Sequence, residues 1–332
     1  MADTKAQQPE RRNVDVAADG DIILALPQNL YIRASSPVLS LVSPVFKAML
    51  GPRFKEGNMP RSSDQPIEIS LPKDDGIAMK HLCLLLHGRT GDSYSHGDRT
   101  FPTQIRALAI LADKYDCVEA IALQAEAMLS RFWMHRANKQ LVIQQMAALI
   151  TAAATLGLGP LFHVFTKSLV LDYCIPYSVA NTGFPPFTLL QLEQQRSTAR
   201  LKIHEEIIRM TPNAVFCKIC CKHDVPLQNF PAVSHALSQK LGPTTWPPDF
   251  STTPPRKTLS RVLSAPDIGF DTKAPCGHSA KAFIKSMKLS AKAIEIYEAA
   301  GLCLPCIKNG GKNTNSCNHE ENKTIAGPLS AT

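Results

Sequence analysis

Motifs that bind phosphate groups, activate a serine or hold a catalytic zinc are absent from this sequence. Its 332 residues contain no glycine-rich phosphate loop, no Gly-x-Ser-x-Gly elbow and no His-Glu-x-x-His helix. These absences argue against the phosphate-loop, serine-hydrolase and zinc-peptidase mechanisms. We therefore predict that the protein is not an enzyme.

Long apolar segments are also scarce. The N-terminus is polar and lacks the apolar core of a secretory signal, and residues 146–162, although uncharged, are rich in Ala, Thr and Gly. A membrane span needs about 20 strongly apolar residues, so this stretch instead predicts two buried helices with a break near 157–160. We expect a protein of the cytoplasm or nucleus with no membrane partner. In such a reducing compartment, closely spaced cysteines favour metal binding over disulfides.

Charge is unevenly spread along the chain. Residues 1–130 carry 14 Lys and Arg against 16 Asp and Glu, a net charge of −2. The balance is 8 against 4 (+4) for residues 131–216 and 14 against 8 (+6) for residues 217–332. A basic C-terminal third suits nucleic acid or an acidic protein surface, and the alternative is a solvated lysine-rich surface.

The first 130 residues alternate between strand-like and helix-like periodicity. Residues 1–13 predict a disordered tail. The elements predicted after it are two strands joined by a turn over 21–33, two short helices over 36–50, a strand over 67–71, a helix after Asp75, a polar loop over 88–103, and helices over 105–132 with a break at Asp116. Ser36 is predicted to cap the first helix, and Ile77, Met79, Leu82, Leu85 and Leu86 are expected to face the core.

Two segments of this region carry a family signature. The first is Asp21-Ile-Ile-Leu followed by Pro37-Val-Leu-Ser-Leu-Val-Ser-Pro-Val-Phe-Lys-Ala-Met-Leu50, and the second is Leu108-Ala-Ile-Leu-Ala-Asp-Lys-Tyr-Asp-Cys117. Together they resemble BTB/POZ domains over residues 14–130. Ser35-Ser36 stands where many animal members have His-Lys, so the resemblance is to the fungal branch. It implies an α+β fold in which a small sheet is capped by a helical cluster, with no catalytic apparatus.

The resemblance implies protein binding and self-association. One subset of BTB domains recruits the cullin-3 ubiquitin ligase through an apolar-x-Glu segment, and Phe54-Lys55-Glu56 stands at the matching place. We predict a partner-binding site at Phe54, Lys55 and Glu56, in which the Phe anchors in an apolar groove and the Glu fixes register. The alternative is a loop whose Phe packs on its own core. The predicted function is a dimeric interaction scaffold, with a cullin-3 substrate adaptor as its specific form.

The remainder of the chain predicts a helical extension over 131–215, an irregular Cys/His-rich region over 216–320 and a disordered tail over 321–332. The helices of the extension are expected over 133–158, 161–171 and 189–210.

Pairs of metal-binding residues recur in the Cys/His-rich region. Cys303, Cys306, Cys317 and His319 lie close enough in sequence to form a tetrahedral Cys₃His zinc site. Free thiols and a redox Cys-x-x-Cys pair are the alternatives, although no strand precedes the pair as in thioredoxin-like units. Gly301 is expected to cap the helix before it, and the segment 297–306 resembles the C-terminus of some fungal BTB proteins.

A second zinc site is predicted from Cys217, Cys220, Cys276 and His278. Cys221 and His223 offer substitute ligands, and Cys276 and His278 are alternatively paired with Cys303 and Cys306. Four protein donors would make the metal structural, with no open position for water, and it would stabilise a region that has few apolar residues. Cys83, Cys117 and Cys174 are read as core residues.

An alternative function follows from the basic tail. The protein would be a nuclear regulator that dimerises through its BTB domain and contacts nucleic acid through the zinc-stabilised tail. The tail lacks the spacing of Cys₂His₂ fingers and shows no interleaving of aromatic and basic residues, which weighs against this alternative.

Overall fold

The structure is a computed structural model that describes residues 11–89, 99–136, 140–177, 180, 182–209, 214–216, 224–226, 235, 237–239, 249–264, 268–273, 279–284, 291–310 and 319. It is a mixed α+β protein, as predicted. The chain divides into two compact units, Met1–Leu161 and Phe162–Thr332. This division falls inside the predicted helical extension, and the predicted domain limits at 130 and 215 stay predictions.

The first unit contains a four-stranded sheet in the order β1-β3-β2-β4. Its strands are β1 (Arg12–Asp15), β2 (Ile22–Leu26), β3 (Leu30–Ala34) and β4 (Ile67–Ser70). β2 and β3 form an antiparallel hairpin, while β1 is parallel to β3 and β4 is parallel to β2. The hairpin and the third predicted strand are thereby confirmed.

Strand β1 was not expected, because residues 1–13 predict a disordered tail. Its sequence Arg-Asn-Val-Asp has no apolar alternation, and only Val14 is partly buried. The strand is held by backbone pairing from Arg12↔Leu30 to Asp15↔Arg33 at the edge of the sheet. A polar edge strand of this kind leaves little trace in hydrophobic periodicity.

Six helices accompany this sheet. They are α1 (Ser36–Val42), α2 (Pro44–Met49), α3 (Gly76–Leu86), α4 (Phe101–Lys114), α5 (Val118–His135) and α6 (Ile143–Thr155). The break between α4 and α5 is confirmed at Asp116, whose φ is 48°. α4 begins earlier than predicted because Pro102, at its first turn, is compatible with a helix start.

Two details of the predicted helices were wrong. Ser35, and not Ser36, is the N-cap of α1. The Ser36 N–H and hydroxyl both donate to the Asp21 carboxylate, at 2.7 and 2.5 Å, so a residue at the start of β2 supplies the cap. Ile77 is 53% exposed, whereas Met79, Leu82 and Leu85 are buried as expected. Ile77 lies in the first turn of α3, before its buried face begins.

The two segments from which the family resemblance was predicted pack on each other. Ser43 caps α2 by accepting the Phe46 N–H at 3.0 Å, and its hydroxyl donates to the Tyr115 carbonyl at 2.5 Å. The rings of Phe46 and Tyr115 stack with centroids 4.4 Å apart. The Tyr115 hydroxyl donates to the buried carboxylate of Asp74 at 2.6 Å. The signature residues therefore build the core between α2 and the end of α4.

The helices of the second unit include α7 (Gly159–Asp172), most of which belongs to this unit, and α8 (Pro186–Arg209). The remaining helices are Pro255–Ser264, Ala291–Glu298 and Leu304–Lys308. The helices predicted over 161–171 and 189–210 are thus confirmed. The one predicted over 133–158 is wrong as a single helix, because α5 ends at His135 and α6 begins at Ile143. The predicted break before α7 is also present, at Gly157 with φ +72°. Among the described residues, no helix combines the length and the hydropathy of a membrane span.

The region predicted as irregular contains a second four-stranded sheet. Its strands are β5 (Ala214–Phe216), β6 (Asp224–Pro226), β7 (Ile268–Lys273) and β8 (Ser279–Ile284), in the order β6-β5-β8-β7 with antiparallel pairing. Two of these strands have three residues, and the longer two include Gly, Ala, Asp and Lys, which have weak strand propensity. The sequence pattern was therefore too weak to reveal them.

Candidate metal centre

Two cysteines begin the short helix Leu304–Lys308. Cys303 is its N-cap residue and Pro305 occupies its first turn, so the chain leaves extended backbone and enters the helix at this point. The three-residue spacing brings the side chain of Cys306 to the same end of the helix as that of Cys303. Cys303 is 1% exposed and Cys306 is partly buried.

His319 completes a group of three donors. Its Nδ1 atom lies 3.5 Å from Sγ of Cys303 and 3.7 Å from Sγ of Cys306, and all the donor atoms lie within 4.8 Å of one another. Zinc bonds of about 2.3 Å to sulfur and about 2.0 Å to nitrogen place tetrahedral ligands about 3.5 to 3.8 Å apart. The two sulfur–nitrogen distances match this spacing, and the three donors are close enough to hold one ion. Two thiolates and an imidazole are donors that zinc accepts.

Contacts with α7 hold the backbone just before Cys303. The Leu302 N–H donates to Thr166 Oγ1 at 2.9 Å, and both residues are buried. Gly301 lies against His163, so that a Cβ atom there would sit 2.5 Å from Nδ1 and 2.6 Å from the backbone oxygen of His163. Gly301 does not have the positive φ of a helix cap, which the sequence predicted. It is required for this close approach instead.

Charged and polar contacts extend the same attachment to Tyr297 and Glu298. Lys167 of α7 pairs with Glu298 at 3.1 Å, and the Tyr297 hydroxyl accepts from Arg256 Nη1 at 2.8 Å. Arg256 also forms a two-pronged ion pair with Asp172 at the end of α7. The segment that leads into Cys303 is thus fixed by protein contacts alone. Sequence reasoning missed these supporting residues because their partners are distant along the chain.

The imidazole of His163, which lies against Gly301, is uncharged near neutral pH. His163 is buried, and burial, together with the nearby Lys167 ammonium, lowers the pKa of its imidazole. A neutral ring avoids placing a second positive charge beside Lys167. We infer that His163 serves as a packing surface for the turn before Cys303.

The remaining predicted ligands cannot be placed. Cys317, the fourth member of the first predicted site, lies outside the described residues. The same is true of Cys217, Cys220, Cys276 and His278, which form the second predicted site, and of the substitutes Cys221 and His223. The structure thus brings together three of the four residues of the first site and leaves the second as a prediction.

The predicted partner segment follows α2 in a compact loop. Phe54 is 49% exposed, Lys55 is exposed, and Glu56 is partly buried at the start of a 3₁₀ turn, Glu56–Asn58. The Phe54 N–H donates to the Gly51 carbonyl at 3.2 Å. The loop therefore presents one side of the Phe54 ring to solvent.

Two other cysteines have the surroundings of core residues. Cys83 and Cys117 are buried, and burial raises the pKa of each thiol to about 12, so both remain protonated and unreactive at neutral pH. Cys174 is only partly buried, so its assignment to the core was too strong.

Comparison with known proteins adds no family assignment. No family model matches the chain, and no curated protein matches it significantly.

Proposed function

We propose that this protein is a non-enzymatic interaction scaffold whose first unit is a BTB/POZ-like domain that binds protein partners and a second copy of itself. The observation that carries this proposal is the joint packing of the two signature segments. Phe46 stacks on Tyr115, Ser43 bonds to the Tyr115 backbone, and Asp21 caps α1. Residues that resemble the family in sequence thus have coherent structural roles.

Exposed apolar side chains near α1 support self-association. Leu41 in α1 is 86% exposed, the largest fraction among the exposed large apolar side chains that the structure describes. A partner that covers this side chain would remove its apolar surface from water, which favours association. We propose that a second copy of the chain covers it.

Light scattering after size-exclusion chromatography tests self-association. The proposal expects a mass twice the 36.3 kDa of one chain, and it expects Leu41→Glu to yield the single-chain mass. Leu123→Glu in α5 is the matched control, because Leu123 is 78% exposed and lies on another helix. A wild-type chain that is monomeric at all concentrations would contradict the dimer.

A cullin-3 adaptor is the specific form of the proposed function. The half-exposed Phe54 followed by Lys55 and Glu56 supports it, since an aromatic residue beside a charge is a common anchor in interfaces. Affinity capture with the wild type and a Phe54→Ala, Glu56→Ala double variant tests this form. Cullin must be present with the wild type and lost with the variant, and its absence from both would refute the adaptor role.

We further propose that Cys303, Cys306 and His319 bind a structural zinc ion together with Cys317. The distances among the three described donors support this assignment. Zinc would supply no chemistry here beyond cross-linking, because four protein ligands leave no position for a substrate. Its effect would be to tie His319 to a turn that the second unit already holds in place.

The basic tail favours a second candidate function, in which the chain contacts nucleic acid. The net charge of +6 over residues 217–332 supports it. Binding to a generic DNA duplex that falls steeply with added salt would favour this candidate, whereas no binding at low salt would exclude it.

A further inference from the structure

Basic and apolar side chains are exposed on α2 and on the loop that follows it. We define the basic loop face by six exposed side chains: Val45, Lys47, Arg53, Phe54, Lys55 and Met59. We propose that this face binds an acidic protein segment that carries an aromatic or aliphatic anchor residue. The inference rests on the proposed interaction function, and it names the chemistry of the partner that the Phe54 loop would take.

The positive charge of the face determines the sign of the charge that its partner must carry. Lys47, Arg53 and Lys55 are exposed, and no described carboxylate lies within ion-pair distance of any of them. Residues 1–130 carry a net charge of −2, from 14 basic and 16 acidic residues, so this face is basic within an acidic region. Such a local reversal attracts an acidic segment and repels a basic one.

The apolar members of the face determine what kind of acidic partner fits. Phe54 is 49% exposed, Met59 41% and Val45 38%, so each residue is partly open to solvent. Aromatic, methionine and arginine side chains are enriched in protein interfaces, where polar groups form the rim around an apolar centre. A partner that offers only charge would leave these side chains in water.

Contacts within the loop hold its backbone in a compact conformation. Asn58 Nδ2 donates to the carbonyls of Pro52 and Phe54, at 2.8 and 3.0 Å. The backbone also turns tightly, as the close approach of Gly57 to Gly51 shows. A Cβ atom added at Gly57 would lie 1.8 Å from the Gly51 carbonyl oxygen. A loop fixed by these contacts loses little conformational entropy when a partner covers Phe54, which favours binding.

A protein segment fits this face better than nucleic acid. Nucleic-acid affinity depends on many phosphate contacts, whereas the face has only three cations and also exposes Val45, Phe54 and Met59. An acidic segment with an apolar anchor satisfies the charges and covers Phe54 and Met59 together. DNA binding is therefore the competing outcome of the test.

Selection of a random displayed-peptide library on the full chain tests the inference. Enriched peptides are expected to be acidic and to carry an aromatic or aliphatic residue. Fluorescence anisotropy with the best peptide should show affinity at least about tenfold weaker for Phe54→Ala, and similarly weaker for the Lys47→Glu, Lys55→Glu double variant. The wild-type affinity should fall as salt is added, because exposed charges are screened.

A matched pair of substitutions on α4 controls for nonspecific effects. Ile110 is 50% exposed and Arg106 is exposed, so Ile110→Ala and Arg106→Glu repeat the same changes away from the loop and should leave the peptide affinity unchanged. Selection of basic or neutral peptides would overturn the inference. So would a peptide affinity that the variants of the basic loop face leave unchanged, or a DNA duplex that displaces the peptide in a manner that depends on Phe54. Peptide binding at another place on the chain would refute the role of the basic loop face but would not contradict the proposed interaction function. A chain that selects no peptide and is monomeric counts against both.

Discussion

The ring of Phe46 stacks on the ring of Tyr115, with centroids 4.4 Å apart and an interplanar angle of 11°. Phe46 belongs to α2, and Tyr115 ends α4. The contact joins the two segments through which the sequence resembles BTB/POZ domains. Both side chains are buried, so the contact forms part of the core of the first unit.

The hydroxyl of Tyr115 should stabilise this core. Tyr115→Phe keeps the stack on Phe46 and removes the hydrogen bond to Asp74, which is 6% exposed. A buried carboxylate that loses a donor costs about 1–3 kcal/mol in the free energy of unfolding, measurable by urea denaturation. Tyr31→Phe, at a half-buried strand position, is the control and should cost much less. Equal costs for the two variants would contradict the role given to the hydroxyl.

Stability should decline in mild acid because of His81. Burial, assisted by Lys80 and opposed by Asp75, lowers the pKa of His81 to about 4. An unfolded histidine protonates at a pH of about 6.5, whereas His81 in the folded chain protonates only near pH 4. As the pH is lowered from about 6.5 to about 4, only the unfolded chain takes up this proton. The free energy of unfolding therefore decreases by about 1–3 kcal/mol over this range. Above this range His81 contributes no pH dependence.

Urea denaturation at several pH values measures the contribution of His81. His81→Gln should flatten the decline between pH of about 6.5 and 4. His135→Gln is the control, because His135 is exposed, and it should leave the decline unchanged. A decline that persists undiminished in His81→Gln would show that other groups cause it.

Bound zinc should depend on two cysteines of the second unit. Cys303→Ser and Cys306→Ser each remove a thiolate from the three-donor group and should lower the bound zinc by one ion per chain, measured by elemental analysis of the purified chain. Cys174→Ser, at a partly buried position outside the group, should retain it. Chelation should lower the melting temperature of the wild type by more than that of Cys306→Ser. An amount of bound zinc equal to that of the wild type in both ligand variants would refute the site.

Gly301→Ala should disturb the attachment of the metal-binding turn. The new Cβ atom would meet both the ring and the backbone of His163 within 2.6 Å, and the backbone cannot move aside cheaply. We expect a cost of about 1–3 kcal/mol in stability together with weaker zinc binding. Gly183→Ala is the control, since nothing lies within 4 Å and only its positive φ opposes the change, at about 1 kcal/mol. A similar loss of zinc in both variants would remove the case for His163 as a support.

Local sequence patterns predicted much of the first unit. Ser43 and Asp75 cap helices, and Asp116 breaks one, because each acts on backbone within a few residues. The sequence did not reveal β1, and it led to a wrong role for Gly301, because the partners of both are distant along the chain. β1 is fixed by pairing with β3, and Gly301 by the ring of His163. The spacing of Cys303, Cys306 and His319 was informative because zinc ligands cluster in short stretches.

Quantitative affinity capture tests most directly whether this protein is an interaction scaffold. The full chain, the Phe54→Ala, Glu56→Ala variant and the Ile110→Ala, Arg106→Glu control would be compared by mass spectrometry. The proposed function predicts proteins captured in near-equal amount by the wild type and the control and lost with the Phe54 variant. Identical capture by all three chains, with no protein in stoichiometric amount, would contradict it.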